Sequence, residues 1–133
     1  MAGSEEEKLF NLIISEISEQ FQPLMERSPF GVYFFLDETH KVCNQKFANM
    51  FGMTTREFAE IPIFLPVFVA EKDIPTFAQN YQHNVLELAH PVTFRFTARR
   101  NDGSTFEAET DMIPLVWRGY PVAYHFVREV GAR

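Results

Sequence analysis

The sequence predicts an α+β domain: a five-stranded antiparallel sheet with helices packed on one face and an amphipathic helix at the N-terminal end. Three observations carry that reading. An apolar stripe at helical spacing opens the chain, paired helix-cap signals punctuate its middle, and from Val92 onward the apolar period falls to two. A chain of 133 residues has room for one such core.

Between Lys8 and Phe21 the residues Phe10, Ile14, Ile17 and Phe21 recur at steps of four, three and four, the mark of a helix with one apolar face. That face either docks on the body of the domain or pairs with a second copy, so these four residues are the candidate homodimer seam. Pro23 kinks or ends the helix, and Ser28-Pro29 with Gly31 breaks the chain before the first strand. Val32-Tyr33-Phe34-Phe35-Leu36 is apolar on both faces, which places it inside the sheet, with the N-terminal helix as its second cover. Asp37-Glu38-Thr39 turns into a short strand around His40 to Asn44.

Asn44 opens a helix that Gly52 stops; Thr54 and Glu57 then form a capping box for the next helix, with Met53 and Phe58 as its hydrophobic staple. Beyond the proline-broken stretch Ile61 to Ala70, Asp73 caps a longer helix with Ile74, Phe77, Ala78, Tyr81, Val85 and Leu88 on one face and Pro75 in its first turn. The next two strands alternate strictly. Matching their buried faces sets Arg100 opposite Ser104 and Arg95 opposite Glu109, around a three-residue turn with Gly103 left-handed. Pro114 ends the second of them, Arg118-Gly119 turns, and Val122 to Val127 is the last strand.

Eighteen Asp and Glu against twelve Lys and Arg give a net charge of −6, which argues against nucleic acid or an anionic membrane surface as a partner. The single cysteine, Cys43, leaves no intramolecular disulfide or cysteine-based zinc cluster and fits a cytoplasmic setting. The first residues lack the basic start and apolar run of a signal peptide, and Ile61 to Ala70 falls short of the ~20 residues of a membrane span. Fifteen phenylalanines are spread over nearly every element. They form either a filled aromatic core or the wall of a cavity.

Several segments, in this order, resemble a PAS domain. Glu26-Arg27-Ser28-Pro29-Phe30-Gly31-Val32 is similar to that family's entry to its first strand, and Asn44 through Phe51-Gly52-Met53-Thr54 with Glu57-Phe58 resembles its N-x-x-F-x-x-x-x-G-Y-x-x-E-L stretch. Arg99-Arg100-Asn101-Asp102-Gly103-Ser104-Thr105-Phe106 resembles its R-x-D-G-S hairpin, and Arg128-Glu129-Val130 stands where its R-D-I exit to an effector is found. The resemblance divides the chain into an N-terminal helix over residues 1–22, a PAS domain over 23–130 and the start of a linker over 131–133. It implies a non-catalytic sensory domain of a larger signalling protein, such as a two-component histidine kinase or a transcription regulator, with its effector domain in the same chain. It further implies a ligand pocket lined by Phe34, Phe47, Phe51, Phe64, Phe77, Tyr81, Phe94, Phe96, Phe106 and Ala108, with His125 turned inward when Arg128-Glu129 is aligned to the exit motif.

The chemistry of that pocket is narrowed by the residues at hand. No cysteine lies between Gly52 and Val92 for a flavin adduct, and Ala98 and Ala108 stand where flavin-binding members carry asparagines, so flavin is disfavoured. Haem is disfavoured as well, since His83 falls about 180° from the stripe of its helix. Cys43 reads as a buried structural thiol. His125, if inward, offers a polar group that binds a carboxylate or titrates near neutral pH. Two other classes stay open: a ligand-free scaffold that binds another protein, and a small cone-shaped enzyme of the ketosteroid-isomerase type. The second would need a carboxylate inside the cavity, whereas Glu107, Glu109 and Asp111 point outward.

Overall fold

A computed structural model describes residues 2–87 and 90–130. The chain opens with α1 (Ala2–Gln20) and the short α2 (Gln22–Arg27), and the break between them falls at Phe21, where Pro23 occupies the first turn of α2. Then follow β1 (Gly31–Asp37), β2 (His40–Cys43), α3 (Gln45–Phe51), α4 (Thr55–Glu60), α5 (Leu65–Phe68) and α6 (Ile74–Asn80). A π-helical turn, Tyr81–Leu86, leads toward β3 (Val92–Arg99), β4 (Thr105–Trp117) and β5 (Tyr120–Glu129). All pairings are antiparallel and the strand order is β2-β1-β5-β4-β3.

The sheet separates two layers. Its inner face carries Tyr33, Phe96, Ala98, Phe106, Ala108, Met112, Ala123 and Val127 against α3 to α6. Its outer face carries Val32, Phe34, Leu36 and Val122 against Ile13 and Ile17 of α1, with Met25 of α2 alongside. Neighbouring residues of β1 therefore face different layers, which is why the strand reads as apolar throughout. The stripe expected at a homodimer seam is used within the chain instead: Ile17 is fully buried, and Phe10, Ile14 and Phe21 pack against the same outer cluster. Burying Ile17 alone is worth about 2 kcal/mol.

Local signals position the inner helices. Asn44 caps α3 by accepting from Phe47 N at 2.9 Å, and the same oxygen accepts from Val32 N at 3.0 Å while the amide donates to Met25 O and Phe30 O at 3.0 and 3.2 Å. One buried side chain thus fixes α2, β1 and α3 together. Thr54 and Glu57 make both bonds of the capping box, and Gly52 and Gly103 are left-handed. Gly31 is required for a different reason, because a Cβ there would lie 2.9 Å from Met50 Sδ and 3.1 Å from Phe47 Cα.

Strands β3 and β4 pair with Arg95 opposite Glu109, and Arg100 N donates to Ser104 O at 2.8 Å. Two elements differ from the sequence reading. Pro114 does not end β4, which runs on to Trp117: the β3 ladder stops at Val92 and Met112, so Pro114 sits where β4 is an edge strand and a missing N–H is tolerated. The helix after Asp73 is α-helical only to Asn80, and Asp73 does not cap it; its carboxylate accepts from Thr97 N at 2.7 Å, tying the helix start to β3. Leu88, expected on that helix, and the expected linker at 131–133 lie outside the described residues.

Candidate functional site

One end of the inner layer is solid. Phe47 and Phe51 stack at 4.6 Å between ring centres, Phe51 meets Phe68 edge-on at 5.0 Å and Phe106 at 5.3 Å, and Phe58 closes on Phe47 at 5.2 Å. The other end holds a cavity of about 370 Å³. Tyr33, Phe35, Phe64, Phe77, Tyr81 and His125 are among its walls, and Asp37, Glu38, Gln82 and Leu86 stand at its rim.

The walls are set by strand register and by the turn that follows α6. Tyr33 lies directly opposite His125 in the β1–β5 ladder, so the two share the inner face, and their rings stack at 4.1 Å with 7° between planes. Phe77 of α6 stands 6.1 Å from His125 at 17°, making three nearly parallel rings. After α6 the backbone widens into the π-helical turn, where Glu87 N donates to Gln82 O at 3.2 Å. Ala78, Tyr81, Gln82 and Leu86 follow one another along that side of the opening.

The polar groups fall into a deep set and a rim set. His125 is 1% exposed, and neither ring nitrogen makes a well-formed hydrogen bond, the backbone of Ala123 being a weak partner. Burial pushes its pKa down to about 3, so the ring is a neutral imidazole with one donor and one acceptor at pH 7. Burial raises the Tyr33 hydroxyl well above its ordinary range, and burial together with Asp37 and Glu38 brings Tyr81 up to about 12, so both phenols stay protonated. Thr110 Oγ1, diagonal to His125 on the inner face, is a buried polar atom without a partner.

At the rim, Asp37 Oδ1 accepts from Thr39 N at 3.0 Å and lies 2.7 Å from His40 Nδ1, while Glu38 Oε1 accepts from Phe64 N at 2.8 Å. Lys41, 2% exposed, donates its ammonium to the carbonyls of Glu38 and Ile61; burial pulls its pKa down. His40 reaches across to α1 through Nε2, 3.0 Å from Glu7 Oε2.

Of the residues expected around a pocket, Phe64, Phe77, Tyr81 and His125 line this cavity. Phe34 does not: it lies on the outer face, stacked on Tyr124 at 4.5 Å, because β1 alternates in the opposite phase. Phe47, Phe51 and Phe106 belong to the solid end, Phe94 and Phe96 pack behind Phe77 at 5.2 and 5.1 Å, and Ala108 is buried in the core away from the opening. Sequence reasoning missed Tyr33, Phe35, Asp37 and Glu38 of the β1 side, and also Leu36, Leu65, Ala78, Gln82 and Leu86. The signal for the β1 side was the pairing rule, since an inward His125 requires whichever residue lies opposite it to be inward too, but the register between β1 and β5 is not written in either strand.

His83 is exposed, 3.4 Å from Glu87, and Cys43 is a buried free thiol whose pKa burial raises to about 12. Glu107, Glu109 and Asp111 lie on the side of the β3–β4 ladder away from the cavity, where Thr97, Arg95 and Arg128 bind them. The carboxylates that do reach the cavity, Asp37 and Glu38, are at its rim with oxygens already engaged. No helix among the described residues is long and apolar enough to cross a membrane.

No family model and no curated protein matches the sequence. Solved structures do match over most of its length. The chain is similar to the PAS domain of a two-component sensor histidine kinase (TM-score 0.67, 18% identity, covering 87% of this chain and 99% of that one). It is also similar to the PAS domain, in complex with ethanol, of a LuxR-family transcriptional regulator from Burkholderia thailandensis (TM-score 0.66, 12%, 84% and 98%). A third likeness is to a LOV protein from Rhodobacter sphaeroides (TM-score 0.70, 15%, 88% and 68%). At these identities the likeness is one of fold, and the fold is that of PAS domains.

Proposed function

We propose that this PAS-fold domain is the cytoplasmic sensory part of a signalling protein, without catalytic activity of its own, and that it binds a small molecule in the inner cavity and passes the change to an effector in the same chain. The observation that carries the reading is the hollow end of the inner layer, since about 370 Å³ walled mainly by aromatic side chains lies within the range of small-molecule sites, roughly 300–1,000 Å³. Flavin is disfavoured as the occupant even though a LOV protein shares the fold, because Ala98 and Ala108 are fully buried and have no group to bond a flavin edge. His83, turned to solvent beside Glu87, argues against haem ligation from that helix.

A route to the outer layer supports the relay. Asp37 stands at the cavity rim and contacts His40, and His40 contacts Glu7 of α1, so a ligand that shifts the β1–β2 turn changes how α1 is held. Native mass spectrometry of freshly purified protein tests the reading. Extra mass that is lost on denaturation, together with faster or slower amide exchange along α1 when the ligand is restored, is the expected result. A bare protein that gains no thermal stability from a metabolite panel would move the reading to a ligand-free interaction scaffold.

A further inference from the structure

We infer that the ligand of this cavity is an uncharged, flat aromatic molecule carrying at least one hydrogen-bonding group that meets the ring edge of His125; the inference rests on the sensory reading above. Both ring nitrogens of His125 are buried without a well-formed hydrogen bond, the Ala123 backbone being a weak partner to the ring, and they sit on a residue that lines the cavity. Buried polar atoms are nearly always bonded, so a ring this deep with two polar nitrogens and only a weak backbone contact to Ala123 has bonding capacity left for a guest. The neutral imidazole offers one donor and one acceptor, which suits a carbonyl, hydroxyl or ring N–H.

Shape and charge narrow the class further. Tyr33, His125 and Phe77 are nearly parallel, at 7° and 17°, a geometry that favours a planar guest lying along them. Among the described residues of the lining, the charged groups are the carboxylates of Asp37 and Glu38 at the rim. The neighbouring cation, Lys41, is turned to the carbonyls of Glu38 and Ile61. An anion would therefore pass two carboxylates into a chamber without a counter-charge. A cation would find its counter-charges only at the entrance, where Asp37 Oδ1 and Glu38 Oε1 already accept from Thr39 N and Phe64 N, and would leave them behind on reaching the depth of His125.

Four bicyclic probes of similar shape test this: 2-quinolone, which has a donor and an acceptor; naphthalene, which has neither; 2-naphthoate, an anion; and 2-naphthylmethylammonium, a cation. The full chain is expected to bind 2-quinolone about tenfold tighter than naphthalene, the gain of one buried hydrogen bond, and both charged probes at least tenfold more weakly than 2-quinolone. His125→Phe should erase the preference for 2-quinolone while keeping naphthalene binding. Should that variant not fold, ¹⁵N spectra of the unmodified protein serve instead, with the His125 ring nitrogens moving on addition of 2-quinolone and not of naphthalene. Naphthalene binding as well as 2-quinolone, either charged probe binding best, or static His125 nitrogens would each overturn the inference and leave the sensory reading standing. If no probe binds, the copurified mass decides: an uncharged polar aromatic supports the inference, a charged or purely aliphatic molecule overturns it, and an empty protein overturns the sensory reading itself.

Discussion

At one end of the inner layer Phe47, Phe51, Phe58 and Phe68 meet ring on ring, whereas at the other Tyr33, Phe64 and Phe77 stand around about 370 Å³ of space. Residue type does not distinguish the two ends. At the solid end α3 lies so close to β1 that Gly31 has no room for a Cβ, and the capped helices α3 and α4 bring their phenylalanines straight onto the sheet. At the hollow end the wall is a π-helical turn with Ala78 before it, and the β1–β2 pairing slips between Phe35 and Asp37, which carries the turn to the rim. Backbone spacing, and not aromatic content, decides which end is filled.

Truncation should separate the ends most sharply. Phe47→Ala opens a void closed on all sides by rings and is expected to cost about 4 kcal/mol, whereas Phe64→Ala, whose ring packs on others but also borders empty space, should cost nearer ~3 kcal/mol; urea unfolding of both variants measures the gap. Equal losses would mean that the cavity closes up in solution. The next effect belongs to the hollow end alone. The unfolded chain takes up a proton on His125 near its ordinary pKa of 6.5, while the folded chain refuses it until about pH 3, so stability falls as pH drops through that window, by up to about 1.4 kcal/mol per pH unit. His125→Leu should flatten the slope between pH 6.5 and 4.5 and raise stability at pH 7, read from melts in a pH series. The smallest effect lies at the solid end: Thr54→Ala removes the acceptor for Glu57 N and is expected to cost about 1 kcal/mol in the same melts, with any ligand response unchanged.

The solid end was also the more legible one. Asn44, Gly52, Thr54 and Glu57 are local signals whose partners lie within a few residues, and the β3–β4 register followed from one parity rule. Non-local geometry was not legible in the same way. Tyr33 and Phe34 look alike in sequence, and only pairing with His125 and Tyr124 shows which of them faces the helices. Pro114 reads as a strand end until the length of β3 reveals that β4 has an open edge there. The π-helical turn carries no residue code of its own, so a cavity that depends on it cannot be told from a filled core by counting phenylalanines.

The fastening of α1 has a consequence for the order of assembly. Its far anchor, Glu16, accepts from Trp117 Nε1 at 3.0 Å and pairs with Arg118 at 2.6 Å across 101 and 102 positions of sequence, and Ile13 and Ile17 complete one cluster with Val122. During synthesis α1 emerges before the strands it covers, and its floor, begun by Val32, Phe34 and Leu36 of β1, is complete only when Val122 of β5 has followed. Contacts of such separation are slow to form, and the full floor exists only once β1 and β5 have paired. The outer cover is made before the strands it covers and completes after them, so its undocking reverses a late step of folding and leaves the strand pairing of the sheet in place.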